Sequence, residues 1–525
     1  MAGYRPNFNL PTRRARLEAL ALAGLLLLAG CASLPSLQGR PASSALTDTV
    51  GTRLGQVLEP LSAAHPGRSA IYPLLDARDA FAARAHLAQV AERSLDVQYY
   101  IWHKDMTGTL LFDALRAAAD RGVRVRLLLD DNNTAGLDPV LAALDAHPNI
   151  EVRLFNPFVL RSPRWLGYLT DFRRANRRMH NKSYTADNQV TIIGGRNVGD
   201  EYFGAAGGML FSDLDVMAAG PVVRAVSEDF DRYWQSLSSY PAALLLPPAD
   251  PAALAGLAAQ REALAQQPAM ADYNRALRES PFVRDLARAS LPLEWAPTRM
   301  VSDDPAKGLG LAPPDSLVRD KLRAIIGEPA SRVSLVSPYF VPSDSGVAIF
   351  TELAQRGVDI EILTNALEAT DVAAVHAGYA KRRRALLAAG VRLYELRRLA
   401  AGVGRELEPS GMGSSSATSL HAKTFAVDHA RLFVGSFNFD QRSVQLNTEM
   451  GFVIDSPALA QKLHDLFALH VPEDAYRVTL EDHGKLVWTE QQNGRQLRHE
   501  SEPGVTGWQR FWVWLLSLLP IDSLL

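Results

Sequence analysis

β-branched and apolar residues alternate through the stretch carrying Thr185, Val190 and Ile192, and again through the stretch carrying Phe425, Val427, Leu432 and Val434. A period of two predicts a strand, a tight turn and a second strand in each place. Upstream of both, the same order of patterns recurs. LDVQYYIW, ALRAAADRGVRVRLLLDDN and VRLFN precede the first stretch; VSLVSPYFV, ELAQRGVDIEILTNA and VRLYE precede the second. The Arg-Gly-Val turn at 121–123 returns at 356–358, where Gly122 and Gly357 are placed to end a helix. Each copy therefore reads strand, helix, strand, helix, strand and then a strand pair. That is the alternation of an α/β layered domain, and its repetition predicts two of them.

The segments between and around the repeats have different compositions. Residues 32–69 read as a linker, 70–240 as the first domain, 241–295 as an Ala- and Leu-rich helical linker punctuated by proline, 296–470 as the second domain, and 471–525 as a C-terminal extension. At 525 residues, with 47% hydrophobic and 21% charged residues, the chain is long enough for two ordinary cores. Residues 402–419 are dense in Gly and Ser and read as a loop, either a cover for the segment that follows or a passive connection.

The two ends are apolar. Arg13, Arg14 and Arg16 precede Leu20 to Leu28, and Leu28-Ala29-Gly30-Cys31 follows, so residues 1–31 read as a lipoprotein-type signal segment with Cys31 as the acylated residue. Cys31 is the single cysteine, which removes any disulfide framework. The alternative is an uncleaved anchor helix, for which the stretch is short. At the other end Trp508, Phe511, Trp512 and Trp514 lead a Leu-rich tail that either packs as a last helix or lies in a lipid interface.

A net charge of −2 conceals a basic run at 161–182: Arg161, Arg164, Arg173, Arg174, Arg177, Arg178 and Lys182 against Asp171, interleaved with Trp165, Tyr168 and Phe172. Leading into the first strand pair, it is expected to attract anionic lipid at a membrane surface.

The chemistry is carried by a pattern that occurs twice. His-x-Lys-x4-Asp appears as His180, Lys182, Asp187 and as His421, Lys423, Asp428, followed by Gly195 and Asn197 in one copy and by Gly435, Ser436 and Asn438 in the other. A phosphodiester needs a nucleophile, cations for its non-bridging oxygens and a proton for its leaving alkoxide. His and Lys at i and i+2 on a strand share a face, so both can reach one phosphate. Neither copy holds both a nucleophile and an acid, which implies that the halves meet face to face around one site.

These motifs, with DVQYYIW, LLLDDNNTAG, VRLFNPF, NRRMHNKS, FSDLDVM and NTEMGFVI, resemble the phospholipase D superfamily, and within it the bacterial cardiolipin synthases of the C type, over residues 55 to 525. The resemblance implies two tandem phospholipase D-like α/β/α sandwich domains forming a pseudo-twofold pair around one active site. It also implies that His180 attacks phosphorus while His421 serves as acid and then base, with Lys182, Lys423, Asn197 and Asn438 holding the phosphate oxygens. The expected reaction moves a phosphatidyl group from phosphatidylethanolamine to phosphatidylglycerol. A neutral attacking imidazole needs its second nitrogen fixed by a carboxylate. Asp215 and Glu449 are assigned that task, and Asp187 and Asp428 either assist or only cap a turn.

No metal or cofactor set is expected, since the remaining histidines are scattered. His376, on a predicted helix near Tyr379 and Lys381, is weighed as a helix-face residue or a substrate contact. The partners expected are membrane phospholipids and the membrane surface, with no nucleic acid. Hydrolysis to phosphatidic acid uses the same residues and stays open beside transfer. A phosphodiesterase nuclease is disfavoured by the two apolar ends.

Overall fold

The period-two stretches become hairpins: in a computed structural model of the chain, Ser183–Ala186 pairs antiparallel with Val190–Gly194, and Thr424–Val427 with Arg431–Gly435. The structure describes residues 33–205, 210–250, 252–398, 418–492 and 494–519. At the hairpin turns Asp187 and Asn188 take φ of 51° and 50°, and Asp428 and His429 take 53° and 52°. Asp and Asn tolerate this left-handed backbone better than most side chains, and two such residues in succession match the twist of a hairpin.

Asp187 also accepts the backbone N–H groups of Glu92, Arg93 and Ser94 at 2.8–3.2 Å, pinning the start of the strand Ser94–Ile101. Asp428 does the same for Ala330, Ser331 and Arg332 at the start of Arg332–Val336. Of the two roles left open for Asp187 and Asp428, this is the turn and backbone role, and it removes both from the catalytic set. Each lies past the far end of the strand from its motif histidine, roughly 20 Å of extended chain away, with its carboxylate consumed by backbone.

The two sheets that grow from these hairpins, of nine and ten strands among the described residues, share one order over eight strands and differ at their edges. The first runs Glu294–Ala296, Ser69–Leu74, Asp215–Ala219, Val190–Gly194, Ser183–Ala186, Ser94–Ile101, Arg124–Asn133, Ile150–Phe155, Ser239–Pro241. The second runs Thr298–Ser302, Met450–Ile454, Arg431–Gly435, Thr424–Val427, Arg332–Val336, Asp359–Asn365, Arg392–Leu396, Ala475–Leu480, and then Leu486–Gln492 and Arg495–His499. In both, the central parallel strands flank the hairpin. Helices Met106–Asp120 and Asp344–Gln355 end as expected, before Gly122 at φ 93° and Gly357 at φ 87°.

Successive residues on the hairpin strands enter different cores. Tyr184, Ile192, Met217 and Ala219 face the helices of the first domain, whereas Phe425, Phe433 and Val453 face those of the second. Between them, Ile193, Val216 and Ala218 pack with Ala426, Leu432, Val434, Phe452 and Ile454 in one shared core. Strands covered on both faces carry apolar residues on both, and buried polar ones among them bond one another, as Thr185 does with Thr191 at 2.8 Å.

Two expected boundaries differ from what folds. Residues 475–499 supply three strands of the second sheet, so most of the C-terminal extension completes that domain. The segment between the repeats sends helices Ala253–Ala265, Pro268–Glu279 and Pro281–Ala287 back onto the first domain, burying Leu257, Tyr273 and Phe282 in its core. The chain then crosses from one sheet to the other at Pro297. Cys31, the apolar stretch before it, and residues 399–417 lie outside the described residues. Among the described residues no helix is long and apolar enough to cross a membrane.

Replacing the fully buried Asp187 by alanine strands three backbone donors, so Asp187→Ala is expected to lose roughly 2–3 kcal/mol of stability while turnover stays within a few-fold of wild type. Urea unfolding and steady-state rates check this. Intact stability with a large loss of turnover would return Asp187 to the catalytic set.

Candidate active site

The domains exchange main-chain bonds at the ends of the motif strands. His180 donates its N–H to the Thr448 carbonyl at 2.9 Å, and Thr448 donates to Arg178 at 2.9 Å. On the other side Thr418–Leu420 pairs in parallel with Leu210–Ser212, and His421 N–H donates to Ser212 at 2.8 Å. Each histidine is thereby laid beside the acid-bearing segment of the opposite domain. His180 Nδ1 lies 2.9 Å from Glu449 Oε2, and His421 Nδ1 lies 2.5 Å from Asp213 Oδ2. A carboxylate only accepts, so each Nδ1 carries a proton and each Nε2 is left for chemistry, as a lone pair on a neutral ring or as a donor on a protonated one.

Glu449 therefore stands where the sequence places an orienting carboxylate, but Asp215 does not. Asp215 is buried under Arg84, whose Nη2 donates to it at 2.8 Å, and its other oxygen accepts the Arg196 N–H at 3.1 Å. The reason is register. Gly194 pairs with Asp215 and Gly435 pairs with Gly451, so the counterpart of Glu449 is Asp213, two residues earlier. Aligning the apolar pattern of DLDVM on that of EMGFV would have found it.

The two pairs are not equivalent. Glu449 also accepts the hydroxyls of Ser436 at 2.5 Å and Ser443 at 2.8 Å. Asp213 is shorter and presses on the chain where the second copy carries Ser436; a Cβ on Gly195 would sit 2.1 Å from Asp213 Oδ1. The first copy needs glycine there for that reason.

Lys182 and Lys423, fully buried, each donate to the carbonyl of their own motif histidine, at 2.6 Å in the case of Lys182. Lys423 Nζ is also 3.0 Å from His421 Nδ1. That nitrogen cannot accept while it donates to Asp213, so the shorter carboxylate bond prevails. Asn197 accepts from the Ile101 N–H at 3.2 Å and donates to Tyr202 at 3.1 Å, and Asn438 Oδ1 is buried without a partner.

Both histidines open into one cavity of about 320 Å³, lined also by Asn197, Asn438, Tyr100, Tyr202 and Arg442. Tyr100 meets His180 edge-on at 5.0 Å, and Tyr202 meets His421 at 5.3 Å. The aromatic walls were not read from the sequence, because nothing in DVQYYIW distinguishes a cavity tyrosine from a core one.

The sequence profile described as "Cardiolipin synthase, PLD-like domain" matches residues 85–234 and 322–470. The chain belongs to this phospholipase D-like family. Cardiolipin synthase C of Escherichia coli is 50% identical over 477 residues, covering 90% of this chain and 100% of that protein. Cardiolipin synthase A of Salmonella arizonae is 26% identical over 401 residues, covering 74% and 66%. The solved phosphatidylserine synthase of Haemophilus influenzae shares the fold, with a TM-score of 0.56 at 13% identity over 90% of this chain and 99% of that one.

Within this phospholipase D-like frame, charge differentiates the two histidines. Burial, joined by the charges of Lys182 and Lys423, pushes His180 well below the usual imidazole range. Burial also lifts Glu449 to about 7, with Lys182 opposing it. Glu449 is thus the more easily protonated of the two orienting acids. At the second pair burial disfavours the Asp213 carboxylate, yet His421, Lys423 and Arg196 outweigh it and hold Asp213 below the ordinary carboxylate range. His421 is lowered by burial and by Lys423, with Asp213 pulling it back up. The second pair is the more ionic one. Burial brings Lys182 down to about 7 and Lys423 to about 8.

Other candidates lie elsewhere. His376 is buried against Glu502 and Arg383, at 3.1 Å and 3.0 Å, and the cavity is lined by its neighbour Val375 instead. Much of the basic run is spent inside the fold: Arg178 on Asp130, Arg161 on Asp131 and Asp138, Arg174 on Asp171. Beside the exposed Arg173, large apolar side chains also face water there, with Trp165 61% and Leu169 68% exposed. Helix Gly507–Ser517 docks through Val513 and turns Trp508, Trp512 and Trp514 outward. Among the described residues His103, Asp105 and Glu201 have metal-ligand spacing, but His103 already bonds Glu201 at 3.1 Å and Asp105 caps the helix at Gly108.

Because kcat/KM reports groups of the free enzyme, it is expected to fall as pH rises through about 7 to 8, where Lys182 and Lys423 lose their charge. A pH profile on a dispersed phosphodiester checks this. Activity that stays flat to the range of an ordinary lysine would contradict it.

Proposed function

We propose that the protein is a phosphatidyltransferase that makes cardiolipin, taking the phosphatidyl group of phosphatidylethanolamine and giving it to phosphatidylglycerol. The observation that carries this reading is the pair of crossed histidine–carboxylate contacts opening into one cavity. It is supported by 50% identity to a cardiolipin synthase over that protein's whole length.

In this mechanism His180, the more neutral imidazole, attacks phosphorus through Nε2, and Glu449, as the carboxylate, offsets the positive charge that develops on the ring. His421, paired with ionised Asp213, delivers a proton to the departing alkoxide, which leaves as ethanolamine. The phosphatidyl group now rides on His180. His421 then removes the proton of the incoming glycerol hydroxyl, which attacks phosphorus and releases His180. Lys182, Lys423, Asn197 and Asn438 hold the non-bridging oxygens through both steps. Two displacements let one site serve donor and acceptor in turn. We further propose that Cys31 is acylated and tethers the enzyme to the cell-envelope membrane. Palmitate labelling that survives in Cys31→Ser would refute the tether.

Labelled phosphatidylethanolamine in mixed vesicles is expected to yield cardiolipin only when phosphatidylglycerol is present, and His180→Ala and His421→Ala should each lower the rate by more than ~10^3-fold. Thin-layer separation of the products checks both. Phosphatidic acid as the sole product in the presence of phosphatidylglycerol would make the enzyme a hydrolase.

A further inference from the structure

The cavity has one wall whose charge the phosphate chemistry does not use. Asp371 lines it together with Tyr339, Val372 and Val375. Tyr339 donates its hydroxyl to Asp371 Oδ2 at 2.6 Å. No cation among the described residues pairs with Asp371. Its position within the cavity is asymmetric. Asp371 acts electrostatically on Lys423 and on Tyr202, the ring set edge-on to His421. It therefore belongs to the His421 side.

Asp371 is solvent-exposed, so water meets its charge until a bound ligand displaces that water. Beside a site built to hold an anionic phosphate the carboxylate repels the substrate, so its presence calls for a positive group on whatever binds there. The side on which it stands decides which part of the substrate that is. The acid must touch the leaving oxygen, so the leaving headgroup lies towards His421 and the diacylglycerol part lies away from it.

We propose that Asp371, held by Tyr339, is a binding subsite for a primary ammonium carried on the leaving headgroup, a few bonds from the scissile oxygen. This rests on the phosphatidyltransfer reading and specifies how that site selects its donor. A primary ammonium can donate N–H bonds to the free carboxylate oxygen, whereas a trimethylammonium keeps the charge and loses those bonds. A glycerol headgroup offers only neutral hydroxyls, which make weaker bonds to a carboxylate. The order of preference at the subsite is ethanolamine, then choline, then glycerol. Tyr339 acts as a positioning residue: its hydroxyl satisfies one carboxylate oxygen and turns the other to the cavity.

The test compares donors with identical acyl chains and ethanolamine, choline or glycerol headgroups in wild type, Asp371→Asn and Tyr339→Phe. In Asp371→Asn the kcat/KM ratio of ethanolamine over glycerol donor is expected to fall roughly 10-fold or more, the range of a charge-assisted hydrogen bond. Tyr339→Phe should move the ratio the same way by less. A ratio unchanged in Asp371→Asn, with both donors slowed equally or not at all, overturns the subsite. If wild type turned over none of the lipids, the transfer reading would fail instead. Inhibition by free ethanolamine of hydrolysis of an amine-free nitrophenyl phosphodiester then decides the subsite separately: weaker in Asp371→Asn supports it, equal in both proteins refutes it.

Discussion

The active site depends on a reciprocal loan across the domain interface. Each histidine takes its carboxylate from the other half, His180 from Glu449 and His421 from Asp213. Neither domain could orient its own imidazole. The main-chain bonds from His180 to Thr448 and from His421 to Ser212 set the histidines and acids in register, and the shared apolar core beneath them holds the register fixed. Much of the fold follows from this arrangement. The hairpin strands are apolar on both faces because a domain lies on each side, and the chain carries the unit twice because one copy completes only half a site.

A duplicated unit does not force identical chemistry. One side carries a glutamate steadied by Ser436 and Ser443, the other a shorter aspartate pressed against Gly195. Burial penalises the charge of both acids, but Asp213 has His421, Lys423 and Arg196 around it and remains ionised, whereas Glu449 is lifted towards neutrality. A displacement reaction needs one imidazole that is a free base and one that can hold a proton. The unequal carboxylates provide that difference on an otherwise symmetric scaffold.

Much of this was legible in the sequence because it rests on local pattern. Period-two alternation marked the hairpins, Gly122 and Gly357 marked helix ends, and the double His-x-Lys motif pointed to a single shared site. Asp187 and Asp428 stood between assisting catalysis and capping a turn, and motif spacing does not choose between the two; their carboxylates serve the backbone of Ser94 and Arg332. Asp215 was chosen over Asp213 because both sit in one short acidic stretch, and only strand register separates the residue facing Arg84 from the one facing His421. The basic run was read as surface charge, yet Arg178 is buried on Asp130, since sequence does not reveal which arginines meet an acid from a distant strand. Cavity walls such as Tyr100 and Asp371 arise from pairing across the whole chain and leave no local signature.

The central claim is that the two halves form one site in which His180 carries the transferred group and His421 moves the proton. It is tested most directly by quenching turnover of a phosphodiester labelled in its phosphate with alkali, under which phosphohistidine survives, and locating the label by peptide mass spectrometry. The account predicts label on the peptide bearing His180, absent in His180→Ala. Label on the His421 peptide, or a wild-type enzyme that turns over without any labelled histidine, would contradict it.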